Sequence, residues 1–572
     1  MAEHPPCERR LGPALELWRA AWRQALAVSA APATVWVSLG VVALLLLVVT
    51  LPLVGVAAAD SRMAAVFSSD EELIADGARR MVSMHTLTYA FYYYPPFFME
   101  LTYGATWFLK TVGVPLQAAA VIGPRVVAAL AYVLGAVGVG GLGRRLSGSL
   151  TVGLVAALLF ATVPELFRFA ILAHPDTLQA ALLVLGTWAL VVYLEAGGRR
   201  ALIAAAAAAG LAFMTKYAGA FLVPVVGLAI GWRLYRDRRP EPAPGALGRA
   251  FLRDSGVAAL AFVLAGIAGG LDLVRDVAPY WRYIKFHSDY SRFGNLVRET
   301  ASPLHWLELL AGEQVAGRTT TLAFALGLFA LAGFAWQLRR SRPPAAVAIA
   351  GGTPASGAAY VLIALYVALY LGFLFWRARL FEARYLIPVS GLFEVAAVGL
   401  MWAATARLRA RAVRALMRGA LVVAFGLALV PRGPALAAIV RERLSHTDHP
   451  CLAVGGWLVD HVPRDTAIVY DMYTYVPVGF RNVAGTWGLQ RQLLDARRAA
   501  VVITNDSIRS RYRADIDPGD WHDGAANFVA ARAAYDDLEH GRLDDFERVA
   551  EFPRCAHTRI YVSPRLATRL GP

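Results

Sequence analysis

Between two apolar blocks lies a stretch, Ser68 to Gly104, in which most of the chain's unusual polar chemistry is concentrated. Asp70 and Glu71 come first, Arg79 and Arg80 follow, then the run Tyr92-Tyr93-Tyr94 and the double proline Pro95-Pro96. Ser69-x-x-Glu72 has capping-box spacing, which sets Asp70 and Glu71 in the first turn of a helix. Acids are favoured there by the helix dipole alone. A carboxylate at the surface of a membrane is also well placed to accept a proton from a hydroxyl group.

Three further groups invite the same question. Asp176 lies in Glu165-Leu-Phe-Arg168…His174-Pro175-Asp176, at the end of an otherwise uncharged apolar block. A helix start, with Asp176 paired to Arg168, explains it structurally. An ionisable group near membrane depth is costly, however, and points to function. Lys216 interrupts AAAAAAGLAFMTKYAGAFLVPVV. It can snorkel to an interface, or hold its charge for an anionic ligand, and we favour the second because the chain has only three lysines, Lys110, Lys216 and Lys285. Arg377, Arg379 and Arg384 crowd one short loop, WRARLFEARYLIP. Guanidinium forks suit phosphate oxygens; pairing with Glu382 or with anionic headgroups is the plainer account. The loop 274–316 carries Tyr280, Trp281, Tyr283, Lys285, His287, Asp289, Tyr290 and Arg292, a composition suited to the membrane surface and to the border of a substrate cleft.

These residues need a scaffold, and the composition says what kind. The chain of 572 residues is 58% hydrophobic and only 17% charged, where soluble proteins average roughly a quarter. Its apolar residues form blocks of about 20, enough to cross a bilayer of roughly 30 Å as helices, unlike the alternating pattern of an outer-membrane barrel. Spans are expected near 33–57, 117–142, 148–166, 175–195, 201–214, 218–234, 255–273, 317–337, 357–376, 385–404 and 415–433. The fold expected is therefore mostly α, a polytopic helical membrane protein of about 11 transmembrane helices.

Charge sets the expected orientation. Residues 445–572 hold 15 Arg against 17 Asp and Glu, so the net +15 of the chain comes from the first 444 residues. There it sits in short Arg-rich loops, as orientation charge and not a nucleic-acid surface. By the positive-inside rule the N-terminus is cytoplasmic and 58–116 is a first external loop. Residues 1–32 look like a cytoplasmic leader with no cleavage site. Odd parity then places 445–572 outside as a small α/β domain. AIVYD (467–471), AAVVITN (499–505) and RIYVS (559–563) are strand-like, and 525–540 is helical. Cys451 and Cys555, near its two ends, either form a disulfide outside the cell or remain two buried thiols. No Cys or His cluster has metal-ligand spacing, so no metal site is expected.

DEELIADGARRMV followed by YYPPFFMELTYGATWFLKTVGVP resembles the first external loop of bacterial GT-C glycosyltransferases of the protein-mannosyltransferase and lipid A aminoarabinose-transferase-like type. The similarity continues through GPRVVAALAYVLGAVGVGGLGRRLSG, HPDTLQAALLVLGTWAL, GLAFMTKYAGAFLVPV and ARYLIPVSGL, and covers most of residues 30–405; the tail resembles the external domains of some members more weakly. The resemblance implies a GT-C catalytic domain over 1–444 and a periplasmic or extracellular α/β domain over 445–572, in a multi-pass protein of the cytoplasmic membrane. It implies inverting transfer of a sugar from a polyprenyl-phosphate donor to an envelope acceptor (protein, lipid or glycan) at the outer face, with no cofactor beyond the lipid-linked substrate. By the same resemblance Asp70 matches the catalytic acid of the first loop, Glu71 its motif neighbour and Asp176 the second acidic position. Lys216 and Arg384 fall where lipid-phosphate groups lie, with Arg379, Tyr94, His174, Arg168 and Tyr385 around them. Tyr94 stands where aminoarabinose transferases have a lysine, which leaves the sugar open. A secondary transporter and a non-catalytic scaffold are the competing readings.

Overall fold

The computed structural model describes residues 32–60, 62–89, 94–237, 245–274, 277–278, 280–282, 284–285, 302–340, 354–378, 381–406, 408–512, 525–543 and 545–570. Arg379, Tyr92, Tyr93, Tyr283, His287, Asp289, Tyr290 and Arg292 lie outside that set.

Helix α1 (Pro32–Val54) opens the bundle, and the short α2 (Arg62–Phe67) and α3 (Ser69–Met84) form the first loop together with α4 (Pro96–Thr111). Next come α5 (Leu116–Ser147), α6 (Leu150–Ala161), α7 (Pro164–Ala170), α8 (Asp176–Ala196), α9 (Arg199–Thr215), α10 (Leu222–Arg236) and α11 (Ala246–Ala268). After the aromatic loop follow α12 (His305–Ala311), α13 (Gly317–Arg340), α14 (Pro354–Arg377), α15 (Ile387–Thr405), α16 (Arg411–Leu427) and α17 (Arg432–Leu444). Among the described residues eight helical stretches are long and apolar enough to cross a membrane, and a ninth if α6 and α7, bent by 70° at Pro164, count as one. The two remaining expected segments, 201–214 and 317–337, are helical as α9 and α13.

The centre of the bundle is α5, α8 and α15, each buried along most of its length. Small residues allow the approach: a Cβ at Gly141 of α5 would clash with the Trp188 ring of α8. Arg432 is buried completely and bonds the carbonyls of Leu159 (2.6 Å) and Ala316 (2.6 Å) and Glu394 Oε1 (3.1 Å). It pins the start of α17 to the last turn of α6, the turn before α13 and the interior of α15, pairing backbone carbonyls that hydrocarbon would leave unsatisfied.

The first loop departs from the expected capping box. Ser68, not Ser69, is the cap of α3, and its side chain makes no capping bond. Glu71, now in the position that would complete a box, is drawn instead to Arg125. Asp70 and Glu71 still occupy the first turn.

After α18 (Leu452–His461) the chain forms a mixed sheet of β1 (Ile468–Asp471), β2 (Val483–Thr486), β3 (Val501–Thr504), β4 (Glu547–Phe552) and β5 (Thr558–Val562), in order β2-β1-β3-β5-β4. The first three strands are parallel, with Ile468 beside both Val483 and Val501; β5 pairs antiparallel with β3 and with β4. Strand β2, half-buried, and strand β4, largely exposed, carry no buried apolar run and so left no sequence signal. Helix α19 (Ala525–Glu539) covers one face, and Cys451 and Cys555 are bridged, with Cα atoms 4.8 Å apart.

Candidate active site

Four chain segments far apart in sequence meet at one end of the bundle: the start of α3, the turn before α8, the end of α9 and the turn before α15. Consecutive spans run antiparallel, so the beginning of α8 and the end of α9 share a level. Asp70, Asp176, Lys216 and Arg384 stand there on the termini of different helices.

Asp70 is contacted through one oxygen. Arg384 Nη1 lies 2.9 Å from Oδ2, the Tyr94 hydroxyl donates to the same oxygen at 2.9 Å, and His174 Nε2 is 3.5 Å away. Burial alone raises the Asp70 pKa, but the His174 hydrogen bond and the charge of Arg384, with Tyr94 adding to them, more than reverse that and hold the carboxyl well below the usual carboxylate range.

His174 joins the two acids. Its Nε2 is 3.0 Å from the Tyr94 hydroxyl, and its Nδ1 contacts Asp176 Oδ2. The Phe169 ring packs at 4.4 Å and the Tyr94 ring edge-on at 5.3 Å, so the imidazole is held on both sides and is almost fully buried. Tyr94 has one hydroxyl proton. When it points to Asp70, His174 Nε2 is the donor of the bond between the two side chains.

Asp176 is fully buried and also accepts from Lys216 Nζ at 2.6 Å. Helix α9 stops at Lys216, whose backbone turns extended (φ −163°), and Gln179 Nε2 anchors the Lys216 carbonyl at 2.7 Å. The break that seemed anomalous in the sequence thus directs the ammonium sideways onto α8. Lys216 Nζ and the Arg384 guanidinium both approach the Tyr385 ring, at 5.1 and 5.3 Å from its centroid. Tyr370 holds the Tyr385 carbonyl at 2.7 Å, and Glu382 pairs with Arg384 Nε.

Two expected site residues stand apart. Glu71 is completely buried, gripped by Arg125 through two bonds of 2.6 and 3.1 Å and by the Ala173 amide at 2.9 Å. Burial would raise its pKa, yet the charges of Arg125 and Arg443 lower it. Its geometry is that of an anchor joining α3 to α5 and to the turn ahead of His174, and not of a group that meets a reactant. Arg168 is exposed on α7 and makes no ion pair among the described residues; His174 and Lys216 hold Asp176 in its place. Sequence reasoning passed over Arg125, Gln179 and Tyr370. Arg125 did leave a signal, a lone arginine in the middle of an apolar span. Among the described residues no three His, Cys, Asp or Glu side chains gather as a metal site.

A family model described as dolichyl-phosphate-mannose-protein mannosyltransferase matches residues 104–241. No curated protein matches the chain. Among solved structures, ArnT from Cupriavidus metallidurans in the apo state superimposes with a TM-score of 0.55 at 15% identity, over 95% of this chain and 100% of that one. The same protein bound to undecaprenyl phosphate gives 0.54 at 14% identity, again over 95% and 100%. The oligosaccharyltransferase AglB from Archaeoglobus fulgidus, in complex with an inhibitory peptide and a dolichol-phosphate, gives 0.45 at 11% identity, over 79% of this chain and 67% of that one. The chain has an ArnT-like GT-C fold, spanning the whole of the ArnT chain.

Proposed function

We propose that the protein is a membrane glycosyltransferase that moves a sugar from a polyprenyl-phosphate donor to an acceptor at the outer face of the cytoplasmic membrane, by a single inverting displacement. The observation that carries this reading is the linked set Arg384–Asp70–Tyr94–His174–Asp176–Lys216, with two cations on a shared aromatic ring beside a carboxylate base.

In the reaction the bond between the sugar's anomeric carbon and the phosphate oxygen breaks as the acceptor oxygen bonds to that carbon from the opposite side. The acceptor's proton passes to Asp70, and the departing lipid phosphate keeps the electron pair. Lys216 and Arg384 stabilise the negative charge that grows on it, usually the largest catalytic contribution. A carboxylate paired with Arg384 is a weak base. The guanidinium transfers from Asp70 to the donor phosphate, so that donor binding itself frees the base, a term worth about 10²–10⁴-fold. Asp176 holds Lys216 and His174 in place, and Tyr94 orients Asp70. No step requires a metal or cofactor. Glu71 belongs to the support of the site in this reading, and Arg168 stands outside it.

The ionisable groups gather at one end of the bundle and not at mid-depth, which favours a transferase over a transporter. The test is transfer from radiolabelled polyprenyl-phosphate sugars in membranes carrying Asp70→Asn or Lys216→Ala. Near-native transfer by both variants would sink the assignment.

A further inference from the structure

The C-terminal domain carries a cluster of aromatic and arginine side chains that the transfer chemistry does not use. Strand β1 is where the strand order reverses: the chain leaves it for β2 on one side and reaches β3 on the other. Open α/β sheets take ligands at such points, beyond the carboxyl ends of the parallel strands. Here those ends bring together Tyr473, Trp487 and, from the turn after β3, Arg511.

The arrangement is built and not incidental. Trp487, just past the end of β2, is 36% exposed, so its ring is open to a ligand. Tyr473 stands edge-on to it, with centroids 5.6 Å apart at 84°, and the Arg511 guanidinium lies 5.3 Å from the Trp487 ring and 5.8 Å from that of Tyr473. Tyr473 adopts a left-handed backbone, φ 68°, which costs a non-glycine residue energy and persists only where its surroundings impose it. Those surroundings are buried polar contacts. Asn505 Nδ2 holds the Met472 carbonyl at 2.8 Å and Thr474 Oγ1 at 2.9 Å on either side of Tyr473, and Asp471 accepts from the Tyr535 hydroxyl at 2.6 Å and the Asn505 amide at 3.0 Å. Tyr512 fixes the Trp487 carbonyl at 2.8 Å. Among the described residues Arg511 makes one hydrogen bond, from Nε to Ser507 O at 3.0 Å.

We propose that this cluster is a saccharide-binding subsite, with Trp487 stacking against the carbon-hydrogen face of a pyranose and Arg511 and Tyr473 bonding its hydroxyl or anionic substituents. A rigid amphipathic ring presented at little entropic cost, beside a forked donor, suits that chemistry. The loop that carries Tyr473 also carries Tyr475, whose hydroxyl bonds Asp60 in the first loop, ten residues before Asp70. The ligand is therefore a glycan acceptor held on the same loop system as the base. This identity rests on the transferase reading; saccharide binding as such does not.

Full-length protein in detergent is dialysed against tritium-labelled, water-soluble oligosaccharides released by mild acid from the envelope of the source cells. Trp487→Ala weakens binding about tenfold or more, Trp487→Phe by only a few-fold, and Arg511→Ala falls between them. Asp70→Asn binds as the wild type does while losing transfer. Equal binding by wild type and Trp487→Ala, or no binding by the wild type, overturns the proposal. Binding that depends on Trp487 in a protein that transfers no sugar overturns the transferase reading alone.

Discussion

Arg384 and Asp70, 314 residues apart in sequence, form an ion pair of 2.9 Å at the end of the helical bundle. The pair couples the two halves of the proposed reaction, because one side chain belongs to charge stabilisation and the other to proton removal. Removing Arg384 has two separable effects. Arg384→Ala raises the KM for the lipid-phosphate donor about tenfold or more, the scale of a lost charge-assisted bond, as read by transfer assays at varied donor.

The same substitution changes the pH profile. Arg384 is among the groups that hold the Asp70 carboxyl low. Without it the Asp70 pKa rises, and the base becomes protonated at a higher pH. The acid limb of kcat/KM against pH therefore moves to higher pH in Arg384→Ala, and Asp70→Asn abolishes that limb together with about 10²–10⁴-fold of the rate. An unchanged acid limb in Arg384→Ala would remove Asp70 from the role of base.

Tyr94→Phe keeps the ring against His174 and deletes only the hydroxyl that bridges Asp70 and His174. The expected result is about a tenfold fall in kcat, from one lost hydrogen bond to charged groups, with KM for donor and thermal unfolding little changed. Stopped-time transfer assays and a melting curve on the same preparation check it.

Glu71 and Arg125 make the opposite forecast. Both side chains are wholly buried, so Glu71→Gln leaves a guanidinium without its countercharge at a cost of about 3–5 kcal/mol. The variant loses folded protein in detergent, measured by size-exclusion chromatography after heating. The double replacement Glu71→Gln with Arg125→Met recovers a good part of it. Equal stability of Glu71→Gln and the wild type would contradict the anchor role.

Asp471 gives the C-terminal domain a pH-dependent stability. Burial raises its pKa to about 7, against partial opposition from Tyr535 and the Asn505 amide. The folded domain holds this proton where the unfolded chain releases it, near pH 4. The contribution is fully present below the unfolded value and is lost as pH rises toward about 7. Glu72, raised to about 7 mainly by burial, acts in the same sense. Melting of the full-length protein between pH 5 and pH 8 shows the decline, and Asp471→Asn flattens it.

Much of this is legible in the amino-acid sequence alone. Apolar block length marks helices because hydrocarbon leaves the backbone no other way to pair, and all eleven expected segments are helical. Asp70, Asp176, Lys216 and Arg384 stood out because charge beside such blocks is expensive, and the fold brings them together. What could not be read was direction. Asp70 and Glu71 are neighbours of the same type in one helical turn, but successive side chains on a helix point about 100° apart. Only packing shows that one faces the cations and the other a buried arginine. The choice of His174 over Arg168 beside Asp176 is likewise a matter of where the turn between α7 and α8 folds. Strands β2 and β4 escaped because strand signals depend on buried alternation, which neither has.

Phe67 lies three residues before Asp70, packs with both the membrane core and the C-terminal apolar cluster, and faces the Arg443 guanidinium at 4.2 Å. Met63 and Val66 of the same short helix seat against the region around the Cys451–Cys555 bridge. The natural unit of exchange between proteins of this architecture is therefore not the tail by itself. Grafting a foreign tail without its matching residues 58–72 would wedge an ill-fitting surface beneath the base, whereas the two pieces moved as one would carry their own seat with them.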